Sequence, residues 1–131
     1  MRLDFAFLAD AAQETGGKLS ALGIGIDRLH APQLPVRHGR ITLVARFSYD
    51  ASESGTRQLA LQIVDADGRM ITQRVEQQLN LGEPVNDVRG HGNLLVELVA
   101  LEFRSYGPHE VAVTIDGEEF VTLTLDVQPP P

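Results

Sequence analysis

The stretch Val111-Ala112-Val113-Thr114-Ile115-Asp116-Gly117-Glu118-Glu119-Phe120-Val121-Thr122-Leu123-Thr124-Leu125-Asp126-Val127 decides the fold of this chain. Val111, Val113 and Ile115 alternate with Ala112 and Thr114, and a second run carries Val121, Leu123, Leu125 and Val127. An Asp-Gly pair between two such runs suits the tight hairpin turn in which both central residues need a positive φ. The stretch therefore reads as two antiparallel strands. The same period of two recurs upstream, and no segment shows the 3.6-residue spacing of an amphipathic helix. The chain reads as all-β.

Working outward, residues 2–9 form a first strand with Leu3, Phe5 and Phe7 on one face, and residues 10–17 read as a loop. Residues 18–30 read as one strand, with Leu22, Ile24 and Ile26 on one side and Gly23 and Gly25 on the other. The bare face of two glycines is expected to lie against another backbone or a bulky neighbour such as Phe47 or Phe103, with a twist-relieving bulge at positive φ as the alternative. Pro32 and Pro35 cannot donate to a ladder, so residues 30–39 should cross between sheets or run over an end of the fold. Ile41, Leu43, Ala45, Phe47 and Tyr49 then give the cleanest alternation in the chain. Leu59, Leu61 and Ile63 continue the period to Asp65-Ala66-Asp67-Gly68, which turns the chain back into Ile71, Val75 and Leu79. Residues 82–93 form the longest stretch without periodicity. A strand resumes over 94–103, where Glu97 and Glu102 have opposite parity and both can face outward only across a β-bulge.

About eight strands at this spacing fit a two-layer antiparallel β-sandwich, with a closed or partly open β-barrel as the alternative. The sandwich is immunoglobulin-like only in the general sense, because the chain has neither cysteine nor tryptophan. Residues 1–128 read as a single domain and 129–131 as a proline tail.

Composition narrows the function classes. Eighteen acidic against eleven basic residues give a net charge of -7, and the ten arginines and one lysine are scattered singly. Nucleic acid and anionic membranes want a basic stripe, so neither is an expected partner. Cysteine-free composition fits a reducing compartment. Asp4 interrupts any apolar leader at the start, and no apolar run approaches the roughly 18 residues of a spanning helix. A cytoplasmic location is the expectation.

Three segments carry a family resemblance: Leu3-Asp4-Phe5-Ala6-Phe7-Leu8-Ala9-Asp10-Ala11-Ala12-Gln13, Gly16-Gly17-Lys18-Leu19, and Gly23-Ile24-Gly25-Ile26-Asp27-Arg28 with Ala31-Pro32 following. Together with the Asp-Gly hairpin they resemble a family of small bacterial proteins classed as a domain of unknown function. Members often show an aromatic residue where this chain has His109. The resemblance implies a cytoplasmic bacterial protein with a sandwich fold and carries no activity.

No motif rises to a mechanism. Gly17-Lys18 lacks the first glycine, the hydroxyl residue and the helix of a phosphate-binding loop. Asp65, Asp67 and Gly68 fail the calcium-loop pattern in both registers, since Arg74 or Met70 falls where a ligand or the glycine is needed. A calcium cup built from Asp65, Asp67, Asp116 and Glu118 at hairpin ends stays open as an alternative to plain turn residues. His30, His38, His91 and His109 lack ligand spacing and read as solvated or strand-edge residues, and no metal or cofactor is expected. The favoured reading is a non-catalytic accessory or assembly protein acting through protein contacts. A small-ligand or calcium-binding domain is second and an enzyme third. Residues 82–93 are the candidate recognition loop, with Asp87, Arg89 and His91 as its contact residues. Val44, Val64 and Val99 or Ala100 are expected on outward faces, leaving apolar surface for a homodimer.

Overall fold

The computed structural model describes residues 1–86 and 88–131, and Asp87 lies outside the described residues. Asp116 and Gly117 adopt φ of 51° and 83°, the positive pair that the two-residue turn requires. They join β9 (Gly107–Ile115) to β10 (Glu118–Gln128), with Ile115 opposite Glu118. A register shift between Glu119 and Val121 turns Phe120 as well as Val121 inward, so that Phe120 meets Phe47 edge-on at 5.7 Å.

The chain is all-β, as the alternation predicts, and the described residues form ten strands rather than about eight. The other eight are β1 (Arg2–Ala9), β2 (Ala11–Thr15), β3 (Lys18–Leu22), β4 (Arg28–His30), β5 (Val36–Tyr49), β6 (Gly55–Val64), β7 (Val75–Leu81) and β8 (Gly90–Phe103). One sheet has the order β1-β5-β8, a second β4-β10-β9-β6-β7, and β2-β3 is a separate hairpin. The two larger sheets pack face to face, and the second curls into a half-barrel. Between them lie Leu8, Ile41, Leu43, Phe47, Leu94 and Val96 from one side and Leu59, Leu61, Ile63, Val111, Val113 and Leu125 from the other. Each such side chain contributes about 1.5–3 kcal/mol on burial, which is why a chain without a disulfide can hold this shape. Because β4 belongs to one sheet and β5 to the other, the proline-bearing segment does cross between sheets.

Two boundaries differ from the sequence reading. Residues 11–15, which read as loop, pair with β3 from Ala11 opposite Leu22 to Thr15 opposite Lys18. The single strand expected over 18–30 breaks at Gly23 and Gly25, whose φ of 67° and 91° are foreign to a strand. Neither glycine faces Phe47 or Phe103. A side chain at Gly23 would instead meet the carboxylate of Asp10, and at Gly25 open space.

The outer face of β5 also departs from expectation. Thr42, Val44 and Ser48 are buried along with the core-facing residues, because the β2-β3 hairpin lies against β5 and β8. Val44 is thus covered within the chain and offers nothing to a second molecule. Val64 is half-buried, whereas Val99 and Ala100 are exposed. In place of the β-bulge expected between Glu97 and Glu102, Ala100 turns to a φ of 54°, and burial switches from Leu94, Val96 and Leu98 to Leu101 and Phe103 across it. Pairing with β5 skips Gly39 and Ala100 together, so the register is unchanged on either side.

Candidate functional site

The nominated segment 82–93 divides into a connection and the start of a strand. Gly90, His91, Gly92 and Asn93 belong to β8, opposite Tyr49, Ser48, Phe47 and Arg46. They are strand residues because of what lies across from them. An ideal Cβ on Gly90 would sit 2.4 Å from Tyr49 Cζ, and one on Gly92 2.3 Å from Phe47 Cζ. The rings occupy the volume that side chains on β8 would otherwise fill, the cross-strand arrangement in which an aromatic covers a glycine.

Asp87, Arg89 and His91 are not shown as one contact group. Asp87 falls outside the described residues. Arg89 anchors the connection: Nη1 donates to Asp50 Oδ1 at 2.5 Å and Nε to Ser48 Oγ at 3.3 Å. Its neighbours are Asp50, Ala51, Ser52 and Val88. His91 points to a different place, with Nδ1 3.8 Å from Asp4 Oδ2. Val85 and Val88 project from the connection, 73% and 63% exposed, and the Val88 N–H donates to the Val85 carbonyl.

His91 borders a cleft of about 460 Å³ between the end of β7 and the start of β8, lined also by Glu14, Arg46, Tyr49, Asn80 and Asn93. Its rim is ordered by hydrogen bonds. Tyr49 Oη donates to the Gly82 carbonyl at 2.7 Å, tying the two sheets at this end. Arg46 Nη1 donates to Asn93 Oδ1 at 3.0 Å, and Asn93 Nδ2 to the Gly17 carbonyl at 3.1 Å, which fixes the tip of the β2-β3 hairpin. Along this side, β8 has no strand partner among the described residues; it pairs with β5 alone. Residues 90–99 of it pair with β5 without interruption, with His91, Asn93, Leu95 and Glu97 in the outer row, up to the positive φ at Ala100. The sequence reading missed that β8 starts at Gly90. The signal for this pairing with β5 was Phe47-Ser48-Tyr49 and Gly90-His91-Gly92, two aromatics and two glycines at matching spacing.

The other candidates are structural. Asp65 and Asp67 follow β6, whereas Asp116 Oδ1 accepts the Gln58 N–H near the start of that strand at 2.8 Å. Seven residues of strand, about 23 Å, separate the two ends, so the four acidic residues cannot form one calcium cup. Asp65 Oδ1 instead accepts the N–H groups of Asp67 and Arg69, both at 2.9 Å. These bonds, that from Arg69 foremost, hold its carboxyl below the usual carboxylate range. Glu102 is lowered chiefly by Arg104, at 3.0 Å, and also by Arg37. Glu97 faces Arg40 at 3.3 Å. Among the described residues, no three of His, Cys, Asp and Glu are placed to hold a metal ion.

His109 is neither solvated nor at an edge. It is fully buried, with Nδ1 donating to the Gly107 carbonyl at 3.0 Å and its ring edge-on to Phe103 at 5.2 Å. Its Nε2 has no partner among the described residues. Extending the Val111, Val113, Ile115 alternation back by one step would have put it in the core.

Residues 4–128 match a family described as "Family of unknown function (DUF6941)". The chain belongs to this family. The match covers all ten strands apart from the first residues of β1, so the hairpin, the glycine-bearing start of β8 and its open edge all lie on family sequence. No curated protein matches the chain. No helix is long and apolar enough to cross a membrane among the described residues.

Proposed function

We propose that this member of the family is a non-catalytic accessory or assembly protein of the bacterial cytoplasm that works by strand-edge contact with other protein chains. One observation carries the reading: among the described residues, the strand segment 90–98 is paired on one side only. Unpaired N–H and C=O groups along such an edge are a template for an added strand, giving affinity through main-chain hydrogen bonds and selectivity through alternate side chains. Natural edges that must stay single carry lysine, proline or an early bulge. Gly90-His91-Gly92-Asn93-Leu94-Leu95-Val96-Glu97-Leu98 has one formal charge, no proline, and no break before Ala100. The scattered basic residues and net charge of -7 favour a protein partner over nucleic acid or an anionic membrane, and the cysteine-free composition suits a reducing compartment.

Blocking the edge tests this. Leu95→Lys places a charge in the outer row of β8, whereas Val85→Ser with Val88→Ser alters only the exposed connection. Proteins retained by the unmodified chain should be lost with the Leu95→Lys variant, folded by circular dichroism, and kept with the connection variant. Retention of the same set by Leu95→Lys would reject the reading. A second reading, small-ligand binding, is favoured by the cleft, whose Glu14, Arg46, Tyr49, Asn80 and His91 converge at the same end of the sandwich.

A further inference from the structure

We propose that the strand received by the β8 edge is the β8 edge of a second copy of this chain, paired antiparallel about a two-fold axis at Leu94. The proposal rests on the strand-edge reading above and names the strand. Its register is narrowed by the extent of the edge. The segment runs from the connection ending at Arg89 to the positive φ at Ala100, and residues 90–99 are centred between Leu94 and Leu95. An isologous contact that uses the whole segment therefore places either Leu94 opposite the partner's Leu94 or Leu95 opposite the partner's Leu95, because a two-fold axis pairs residue i with j and j with i and keeps each residue on its own face.

Chemistry chooses Leu94. In the outer row, His91 comes opposite the partner's Glu97, so an imidazole N–H meets a carboxylate twice, once on each side of the axis. Both groups reach the surface: the side chain of His91 is 50% exposed, with Nδ1 3.8 Å from Asp4 Oδ2, and that of Glu97 is 55% exposed and faces Arg40 at 3.3 Å, so each exchanges or shares a surface pair to meet across the axis. In the inner row, Gly92 comes opposite the partner's Val96, so a residue without a side chain meets a β-branched one beside the ring of Phe47. Shifting the axis by one residue to Leu95 sets His91 against the partner's Val99 and Asn93 against the partner's Glu97. The acid and the imidazole then no longer meet. The product is a continuous six-stranded sheet in which neither copy leaves residues 90–98 unpaired.

Because the chain has no cysteine, single cysteines report the register without background. His91→Cys and Glu97→Cys chains are mixed under mild oxidation, and the dimers are separated by mass. The proposed register brings the thiol of a His91→Cys chain within disulfide reach of the thiol of a Glu97→Cys chain, whereas two His91→Cys chains keep their thiols about 20 Å apart. The mixed disulfide should exceed both homodimers well beyond the random ratio. In parallel, Glu97→Lys should weaken self-association of the cysteine-free chain by about tenfold or more in sedimentation, and His91→Glu with Glu97→Lys should restore it. Random disulfide ratios, or no restoration by the double exchange, would overturn the register and with it the second-copy proposal. If the chain stays monomeric while another protein still slows amide exchange over residues 90–98, the strand-edge reading stands and the second copy is excluded. Full protection of those amides in the isolated monomer would sink both.

Discussion

Replacing Gly92 with alanine tests whether the edge strand is built as described, because two effects of opposite sign compete there. In a strand with free space, alanine is more stable than glycine by about 0.5–1 kcal/mol, since glycine loses more conformational freedom on folding. Here the added methyl would sit 2.3 Å from Cζ of Phe47. That ring cannot swing away cheaply, because it is fully buried and packed edge-on against Phe120 at 5.7 Å and near Tyr49 at 6.2 Å. Overpacking of this kind costs about 1–3 kcal/mol and should outweigh the entropic gain. With an unfolding entropy near 2.1 cal/mol/K per residue, each kcal/mol shifts Tm by about 4 °C in a chain of this length. Gly92→Ala should therefore lower Tm by several degrees. The clash also predicts coupling: with Phe47→Leu in the background, the cost of Gly92→Ala should shrink or reverse, since contacting residues are non-additive. Thermal melts of the two single variants and the double variant decide the matter. A rise in Tm for Gly92→Ala alone, or strict additivity in the cycle, would refute the packing of Phe47 on the β8 backbone.

His109→Ala should destabilise strongly, by about 2–4 kcal/mol, because it opens a cavity beside Phe103. His109→Phe should cost less than about 1.5 kcal/mol, since the lost bond to Gly107 is offset by removing the unpartnered Nε2; denaturant midpoints compare the two. Acid should act through Asp116, whose carboxyl is held below its ordinary value of 3.8 first by the Gln58 N–H and then by Arg57. A depressed folded-state value contributes stability that is present above the unfolded value and lost as pH falls through the folded one, so Asp116→Asn should flatten the stability profile below about pH 4 in acid titrations. Arg89→Ala removes the bonds to Asp50 and Ser48; hydrogen exchange should accelerate over residues 82–89 and leave β8 beyond Asn93 unchanged.

The terminal hairpin, β5 and the sheet crossing were legible because each writes its structure into its own residues: an Asp-Gly turn, nine residues of alternation, two prolines. The elements that were missed take their structure from elsewhere in the chain. Ala11-Ala12-Gln13-Glu14-Thr15 has no apolar alternation, and it becomes a strand through pairing with β3. Gly90 and Gly92 looked like loop residues because their side-chain volume is supplied by Tyr49 and Phe47, some forty residues away in sequence. The open edge itself had no local signature, since whether a strand has one neighbour or two is a property of sheet order. His109 was misread for a different reason. Its polarity outweighed a parity that Val111 and Val113 had already set.

The strand-edge account is tested most directly by residue-resolved amide exchange over Gly90-His91-Gly92-Asn93-Leu94-Leu95-Val96-Glu97-Leu98 in dilute protein. Amides of an antiparallel strand point alternately to its two neighbours. With β5 on one side and nothing on the other, protection should alternate along the segment, every second amide exchanging fast, and the fast set should slow as protein concentration rises. Uniform protection of all these amides at the lowest concentration would mean that another part of the chain already covers the edge, and would contradict the account.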